Sequence, residues 1–253
     1  MAFAVPDKLA AQAAAYVRGR PGYPEALEDW LRTDLGLGAG KLAIDLGSGT
    51  GKFLPRLLAT GADIVAIEPL EAMRAHLTAL HPGVDARAGR AQAIPLPDNS
   101  ADAVICAQCF HLFAQPEALA EIRRVLKPGG ALGLAWNIRD STAPWVMRII
   151  DIMAPYEDGT PNYESGAWKK QFPAEGFTPL SEQRFPNPHT GAPENVIIDR
   201  VLSVGMIAKL PRGEREWVVA RLCEVIDRTP ELAGKAEITF PNATFAYSCR
   251  KIA

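Results

Sequence analysis

The sequence predicts an α/β fold, a doubly wound and mostly parallel sheet with helices on both faces. Short apolar runs typical of strands alternate with stretches of helical apolar spacing between residues 42 and 137, which is the pattern of successive β–α units. The run 102–108 is almost wholly apolar, as expected of a strand buried on both faces. At 253 residues and 48% hydrophobic composition, the chain can bury one substantial core, so we expect a single domain over 1–253.

The first forty residues precede the sheet. Residues 9–16 are rich in good helix formers, and the prolines and glycines of 18–24 end that pattern. A second helix is expected near 25–35, where Leu27, Trp30 and Leu31 recur at apolar spacing.

Residues 42–54 predict a strand, a tight turn and the start of a helix. An apolar run is followed by Gly47, Gly49 and Gly51, and helical spacing resumes at Phe53. Glycines suit such a turn because they adopt backbone angles that a Cβ excludes and let a ligand approach the backbone. The helix that follows offers unpaired N–H groups and partial positive charge to a polar ligand.

Two acids narrow the choice of ligand. Asp45 stands two residues before the first glycine, where it would repel a pyrophosphate and attract an ammonium group. The second strand, 62–68, ends in Glu68, 21 residues after Gly47, the spacing at which a carboxylate accepts ribose hydroxyls. Lys52 stands where a dinucleotide fingerprint has its third glycine. These features describe S-adenosylmethionine better than NAD, while a dinucleotide site and a purely structural turn stay open.

The remaining elements follow the same alternation. In chain order, the pattern predicts a helix at 70–77, a strand at 84–88, a helix from Pro116 ended by the turn 127–130, a strand at 131–137, a helix at 145–153, a sixth strand within 177–185, helices at 195–210 and 215–227, and a closing strand or hairpin at 236–249.

Six segments resemble, in order, the motifs of class I S-adenosylmethionine-dependent methyltransferases of the small-molecule group called type 11. They are 43–53, 67–69, 93–97, 102–104, 110–113 and 126–130. The resemblance implies a Rossmann-like, seven-stranded sheet with a helical lid over 1–40, a cofactor-binding core over 41–137, and acceptor-pocket segments with a late helical insertion over 138–253. It implies S-adenosylmethionine as cofactor, S-adenosylhomocysteine as product, and methyl transfer by in-line displacement.

The residues and the resemblance together predict the cofactor site. The glycines would bring backbone to the methionine half, Asp45 would receive its ammonium group, and Glu68 would hold the ribose. The family often has an acid where this chain has Arg90, so the adenine amino group would fall to Gln92 or the backbone of Ala91. The expected cofactor-binding residues are Tyr16, Arg20, Asp45, Gly47, Ser48, Gly49, Gly51, Glu68, Pro69, Met73, Ala91, Gln92 and Gln108.

In the resembling family the leading segment closes over the cofactor. Tyr16, Arg20 and Tyr23 are therefore lid candidates, since an aromatic face attracts a sulfonium and a guanidinium holds a carboxylate. The alternative is a proline-rich surface connection with solvated arginines. Met73 would pack on the adenine, and ordinary core packing is its alternative.

The carboxyl end of the fourth strand should face the reacting groups. Ligands of open α/β sheets bind where the strand order reverses, a point flanked by the first and fourth strands in this family. Gln108 and His111 should therefore face the methyl group or its acceptor. His111 is the catalytic candidate, a general base whose ordinary pKa suits neutral pH. One alternative is that His111 merely caps the next helix or packs against it. Another is that methyl transfer needs no base, because holding the reactants close together is enough.

Seven residues are pocket candidates by position, with ordinary packing as the alternative for each. They are Trp136, Asn137, Arg139, Trp145, Tyr156, Tyr163 and Trp168.

Charge and composition exclude several partner classes. The net charge is −2 without a block of like charges, so we expect neither nucleic acid nor an anionic membrane as partner. No apolar run reaches the ~20 residues of a membrane helix, and the start lacks the order of a signal peptide. We expect a cytoplasmic enzyme with a small-molecule acceptor, and no oligomeric state follows from the sequence.

The four cysteines form no metal-type pair, so we expect no metal site. Reduced, buried thiols are the simplest interpretation, and a catalytic thiol at Cys109 is the alternative.

Three other functions are alternatives to methyl transfer to a small molecule. A protein that binds S-adenosylmethionine without catalysis stays open, and a nicotinamide oxidoreductase is less favoured because of Lys52. A nucleic-acid methyltransferase is disfavoured because residues 108–111 read Gln-Cys-Phe-His in place of an Asn/Asp-Pro-Pro-aromatic motif.

Overall fold

A computed structural model describes residues 19–252 of the chain. Its strands are β1 Leu42–Leu46, β2 Asp63–Ile67, β3 Asp85–Arg87, β4 Ala101–Ala107, β5 Leu126–Arg139, β6 Ser181–Pro186, β7 His189–Gly191, β8 Ile238–Phe240 and β9 Asn242–Arg250. Seven of them form one sheet in the order β3-β2-β1-β4-β5-β9-β6, and β7 and β8 form a separate antiparallel pair.

The sheet is wound from its centre in both directions. β1 pairs in parallel with β2 and with β4, β2 pairs with β3, and β4 pairs with β5. The strand order thus reverses between β1 and β4, and ligands of such sheets bind beyond the carboxyl ends of these strands. The predicted doubly wound, mostly parallel, seven-stranded sheet is confirmed.

Helices connect the parallel strands. The α-helices of the described chain are α1 Leu27–Thr33, α2 Leu54–Leu58, α3 Glu71–Leu80, α4 Pro116–Val125, α5 Pro144–Met153, α6 Arg200–Leu202, α7 Gly205–Ala208 and α8 Arg212–Arg228. A π-helix, Glu194–Asp199, runs directly into α6, and 3₁₀ turns occur at Phe110–Leu112, Ala154–Tyr156 and Ala167–Gln171. In the described residues, no helix is long and apolar enough to cross a membrane.

The chain divides into two compact units. The sheet unit comprises Gly22–Asn137, Pro161–Phe185 and the chain from Thr244 onward. The helical unit comprises the described residues up to Pro21, together with Ile138–Thr160 and Pro186–Ala243. Each unit has its own apolar core: the first is built around β1, β4 and α1, and the second around α5, the π-helix and α8.

The start of β5 differs from the expected turn at 127–130. The helix ends at Val125 and the strand begins at the next residue. The backbone N–H of Gly129 donates to the carbonyl of Lys251 at 3.1 Å, and the N–H of Lys251 donates to Gly130 at 2.8 Å. Hydrogen bonds to the distant Lys251 therefore hold Gly129 and Gly130 in a strand, although the local glycines and proline predict a turn.

The late chain also differs in detail. The helix expected at 195–210 is a π-helix followed by the two short helices α6 and α7, with a break after Leu202. Two strands close the chain, but they do not pair as a hairpin, because β8 pairs with β7 and β9 joins the main sheet. β7 was not predicted, since its three residues carry no apolar alternation.

Candidate active site

The turn between β1 and α2 adopts backbone angles that require glycine. The φ angles of Gly47, Gly49 and Gly51 are 73°, 55° and 83°, all in the left-handed region. The N–H groups of Gly47 and Ser48 donate to the carbonyl of Ile67 at 2.8 and 3.2 Å. The turn is thereby fixed against the end of β2, and its predicted need for glycine is confirmed.

The three glycines differ in their surroundings. A Cβ at Gly47 would lie 2.8 Å from the Sγ of Cys109, and one at Gly51 would lie 2.9 Å from Leu54 Cδ1. At Gly49, no atom of the described chain lies within 4 Å of a Cβ position. Gly47 and Gly51 therefore allow neighbouring side chains to pack closely against the turn, whereas the backbone of Gly49 is open to a ligand.

Glu68 links the glycine turn to the start of α3. Its Oε2 accepts a hydrogen bond from the N–H of Gly49 at 2.9 Å, and its Oε1 accepts one from Leu70 at 3.0 Å. The side chain is buried, with 6% of its surface exposed. Each carboxylate oxygen can accept a second hydrogen bond, so the acid can still receive a hydroxyl group.

Asp45 is a fully buried carboxylate at the end of β1. Neither of its oxygens has a hydrogen-bond partner in the described chain. Burial, and then repulsion by Glu68, raise the pKa of Asp45 to about 7. The hydroxyl of Ser48 in the adjoining turn is also buried without a partner among the described residues. Unpaired buried polar groups are costly, so a cationic, hydrogen-bonding ligand would relieve this site.

Apolar side chains lie exposed next to Glu68. Leu70 and Met73, at the beginning of α3, are 59% and 36% exposed. Pro69 is exposed as well, while on the loop after β3 Ala91 is buried and Gln92 is exposed. An exposed apolar surface beside a ribose-binding acid suits a flat heterocycle.

Gln108, which is expected to face the reacting groups, is hydrogen-bonded to β5 through its backbone N–H and its side-chain carbonyl. Its backbone has a φ of 64°, which is uncommon for a residue with a side chain. Its N–H donates to Ala135 at 2.7 Å, and its Oε1 accepts from the N–H of Asn137 at 2.8 Å. The side-chain carbonyl is thus committed to β5, which leaves the amide NH₂ as the group available to a ligand.

His111 lies in the 3₁₀ turn Phe110–Leu112 and is half-buried. Its Nδ1 accepts a hydrogen bond from Nε1 of Trp136 at 2.9 Å. Burial lowers the pKa of His111, against the opposing effect of Glu164. A neutral ring whose Nδ1 accepts carries its proton on Nε2. This geometry favours hydrogen-bond donation by Nε2, and the role as general base stays a prediction.

Cys109 is not an activated thiol. Its Sγ donates to the carbonyl of Leu46 at 3.1 Å. A hydrogen bond with Cys106, burial, and the nearby acids Asp45 and Glu68 raise the pKa of the Cys109 thiol well above its usual range. Both effects favour the protonated thiol over a catalytic thiolate. Within residues 19–252, no group of side chains could hold a metal ion.

Several pocket candidates pack against one another. Trp136 and Trp168 are fully buried, with ring centroids 4.5 Å apart. The hydroxyl of Tyr163 lies 2.8 Å from that of Tyr247, beside the same pair. For these residues the packing alternative holds, because they form the aromatic core of the sheet unit.

The lid candidates lie in different parts of the chain. Tyr16 lies outside the described residues. Tyr23 packs edge-on against Phe53 at 4.7 Å, next to the glycine turn. Arg20 belongs to the helical unit, where its Nε donates to the hydroxyl of Ser203 at 2.8 Å. Its contact with a cofactor stays a prediction.

Comparison with known proteins decides the family. Residues 44–134 match the family model described as methyltransferase domain. An uncharacterized methyltransferase-like protein of Schizosaccharomyces pombe is 40% identical over 239 residues, covering 94% of this chain and 93% of that protein. The chain belongs to the methyltransferases. An uncharacterized methyltransferase of Mycobacterium bovis is 36% identical to this methyltransferase over 230 residues, which are 91% of this chain and 90% of the relative.

A solved structure supports the fold of this methyltransferase. A putative type II methyltransferase from Anaeromyxobacter dehalogenans superimposes with a TM-score of 0.67 at 23% identity, covering 92% of this chain and 97% of that one. The expected membership of the methyltransferases is confirmed, and the solved structure shares the predicted fold. A nicotinamide oxidoreductase is not favoured.

Proposed function

We propose that this methyltransferase binds S-adenosylmethionine at the glycine turn and transfers its methyl group to a small-molecule acceptor in the cytoplasm. The observation that carries the proposal is the carboxylate of Asp45, fully buried and without a hydrogen-bond partner in the described chain. A buried acid in this state calls for a positive hydrogen-bond donor. The ammonium group of the cofactor is such a donor, whereas a pyrophosphate would be repelled.

The surrounding residues fit the rest of that cofactor. Gly49 leaves space above its backbone for the methionine half. Glu68 retains lone pairs for the ribose hydroxyls, and Leu70 and Met73 offer apolar surface for the adenine. Gln92 or the backbone of Ala91 would receive the adenine amino group.

S-adenosylmethionine would supply an electrophilic methyl group on a positively charged sulfur, and in-line displacement would break the S–CH₃ bond and release S-adenosylhomocysteine. The protein's main task is then to hold the two reactants in line, which can supply much of the rate enhancement without a base. His111 Nε2 would donate a hydrogen bond to an acceptor oxygen or nitrogen and orient it.

The acceptor class and compartment rest on charge and on cysteine chemistry. With a net charge of −2, the protein lacks the excess of positive charge that binds the phosphates of a nucleic acid. All four cysteines are free, and two are buried, as expected for a reducing compartment.

Calorimetric titration with S-adenosylhomocysteine and with NADH tests the proposal. We expect the wild type to bind the first compound and not the second, and Asp45→Asn to weaken that binding more than about tenfold, or ~1.4 kcal/mol. Asp63→Asn, an exposed acid at the start of β2, is the matched control and should bind normally. NADH binding without S-adenosylhomocysteine binding would overturn the proposal, as would equal affinity of Asp45→Asn and wild type.

Turnover is tested separately. Radiolabelled methyl transfer from S-adenosylmethionine to members of a broad panel of small acceptors is the expected result. Tight cofactor binding with no transfer to any member would contradict the catalytic part of the proposal.

A further inference from the structure

The indole of Trp136 fixes the protonation of one ring nitrogen of His111. Its Nε1 donates a hydrogen bond to His111 Nδ1 at 2.9 Å. An indole N–H can donate but cannot accept, so the imidazole nitrogen that faces it carries no proton. In the neutral ring the proton therefore lies on the other nitrogen, Nε2. Trp136 thus selects one of the two neutral forms of His111.

Packing holds both side chains in this arrangement. Trp136 lies on β5 with none of its surface exposed, and its ring centroid is 4.5 Å from that of Trp168 and 5.9 Å from that of Tyr247. The indole therefore has no room to rotate. His111 follows Phe110 in the 3₁₀ turn, and the side chain of Phe110 is fully buried, which anchors the backbone of the turn.

The opposite nitrogen of the ring, His111 Nε2, is open to a ligand. Among residues 19–252 it has no hydrogen-bond partner, and it is not one of the buried polar atoms. His111 follows shortly after the carboxyl end of β4, where the strand order reverses and ligands of such sheets bind. His111 and Trp136 both belong to the sheet unit. The Nε2–H group is therefore a hydrogen-bond donor at the predicted reacting end of this one unit.

The contact with Trp136 also opposes a second proton on the ring. An imidazolium carries an N–H at both nitrogens, so a proton on Nδ1 would face the indole N–H, and two donors would meet. Burial lowers the pKa of His111 as well, against the opposing charge of the exposed Glu164. The nitrogen that could still take up a proton is the one that faces Trp136. In this form His111 is suited to donate a hydrogen bond and not to remove a proton.

We propose that Trp136 is a positioning residue, which fixes His111 so that Nε2 donates a hydrogen bond to an ionised oxygen of the methyl acceptor. This inference rests on the proposed methyl transfer to a small molecule. An ionised oxygen has lone pairs for both the attack and the hydrogen bond, whereas a neutral amine has one lone pair. The oxygen would attack the methyl carbon, and the S–CH₃ bond would break with its electron pair left on sulfur. No proton has to be removed from such an acceptor, and Nε2 keeps its own.

Nitrogen NMR of labelled histidines tests the role of Trp136 without cofactor or acceptor. In the wild type at neutral pH, we expect His111 to show Nδ1 without a proton and a protonated Nε2, with its signals assigned by their loss in His111→Gln. Trp136→Phe keeps an aromatic ring but lacks the N–H, so both neutral forms should appear. The proton affinity of His111 should also rise, by up to about tenfold for the loss of one hydrogen bond.

Trp168→Phe is the matched control for the NMR experiment. Trp168 is a buried tryptophan of the same aromatic cluster, but its Nε1 donates to the carbonyl of Tyr163 at 3.3 Å and not to His111. The His111 signals should therefore be the same in Trp168→Phe and in the wild type. A protonated Nδ1 in the wild type, or wild-type signals in Trp136→Phe, would overturn the proposal. If Trp136→Phe does not fold, the wild-type spectrum still decides which nitrogen carries the proton.

Variants of His111 distinguish a hydrogen-bond donor from a base. His111→Gln retains an N–H donor but cannot take up a proton, whereas His111→Phe can do neither. In the turnover assay we expect His111→Gln to keep kcat within about tenfold of the wild type, and His111→Phe to lose about a hundredfold or more. An equal loss in both variants would contradict the role as donor.

Matched acceptors test the ionised oxygen. The turnover panel would contain sets of a carboxylate, an alcohol and an amine on the same carbon skeleton, such as benzoate, benzyl alcohol and benzylamine. Within the sets that react, we expect methyl transfer to the carboxylate in preference to the alcohol and the amine. Preference for the amine or the alcohol would overturn this part of the proposal.

Failure of the two proposals can be told apart. A wild type that does not bind S-adenosylhomocysteine, or that transfers no methyl group to any acceptor, would remove the proposed function itself. Normal cofactor binding and turnover, together with a His111 that carries its proton on Nδ1, would remove the role of Trp136 alone.

Discussion

The carboxylate of Glu68 accepts a hydrogen bond from the backbone N–H of Gly49 at 2.9 Å, although 19 residues separate them in the chain. The acid at the end of β2 therefore holds the one glycine of the turn that has open space above it. The same side chain would have two tasks, supporting the turn and receiving the ribose.

Replacing Glu68 should weaken cofactor binding. Glu68→Ala removes both the proposed ribose acceptor and the support of Gly49, so we expect S-adenosylhomocysteine affinity to fall more than tenfold, or ~1.4 kcal/mol. Calorimetric titration measures this. Glu71→Gln, an exposed acid in the first turn of α3, serves as control. Unchanged affinity in Glu68→Ala would remove Glu68 from the site.

Asp45 should make the ligand-free enzyme less stable as pH rises. Its folded pKa of about 7 lies above its ordinary value of 3.8, so between these values the folded state binds more protons than the unfolded state. The contribution of Asp45 to the free energy of unfolding is therefore largest below pH 4. It decreases as the pH rises to about 7, and the total decrease is on the order of 4 kcal/mol at most.

Thermal unfolding of Asp45→Asn measures that contribution. Relative to the wild type, the variant should gain stability at pH 8 and gain much less at pH 5. Asp63→Asn, with its exposed side chain, should show no such difference. If Asp45→Asn and the wild type had the same melting temperature at both pH values, the carboxyl group of Asp45 could not be buried and unpaired.

The same acid should make cofactor binding pH-dependent. An ammonium group prefers the ionised form of Asp45, so S-adenosylhomocysteine affinity should rise from pH 5.5 to pH 8 as the carboxyl group loses its proton. The dependence should disappear in Asp45→Asn. Titrations at a series of pH values check this, and an affinity that falls with rising pH would count against the assignment.

Gly47 and Gly49 should respond differently to alanine. Both have positive φ angles, which cost about 1–2 kcal/mol for a residue with a Cβ. Gly47→Ala also places a Cβ against Cys109 and should lower stability further, whereas Gly49→Ala meets no described atom and should chiefly weaken cofactor binding. Urea unfolding and calorimetry separate the two effects. Stronger loss of binding in Gly47→Ala than in Gly49→Ala would contradict Gly49 as the point of approach.

Local patterns made the central part of this structure predictable. The first strand, the glycine turn and the next helix follow each other directly in the chain. The positions of β1, Gly47, Gly49 and Gly51 could therefore be predicted from the sequence. Glu68 could be placed because one β–α unit has a nearly fixed length.

Long-range pairing was less predictable. The hydrogen bond that turns Gln108 towards β5 joins residues from different strands, and no spacing in the sequence indicates it. The pairing of β8 with β7 likewise joins segments almost fifty residues apart. The burial of Arg200 was not predicted, because a single arginine in a helical segment usually reaches solvent, and only tertiary packing buries it.

The most direct test of the account is a crystal structure of the enzyme with S-adenosylhomocysteine. We expect the amino group of the ligand to contact the carboxylate of Asp45, directly or through one water, and the ribose hydroxyls to contact Glu68. Density for the amino-acid half away from the glycine turn, or an Asp45 side chain that remains without a partner, would contradict the account.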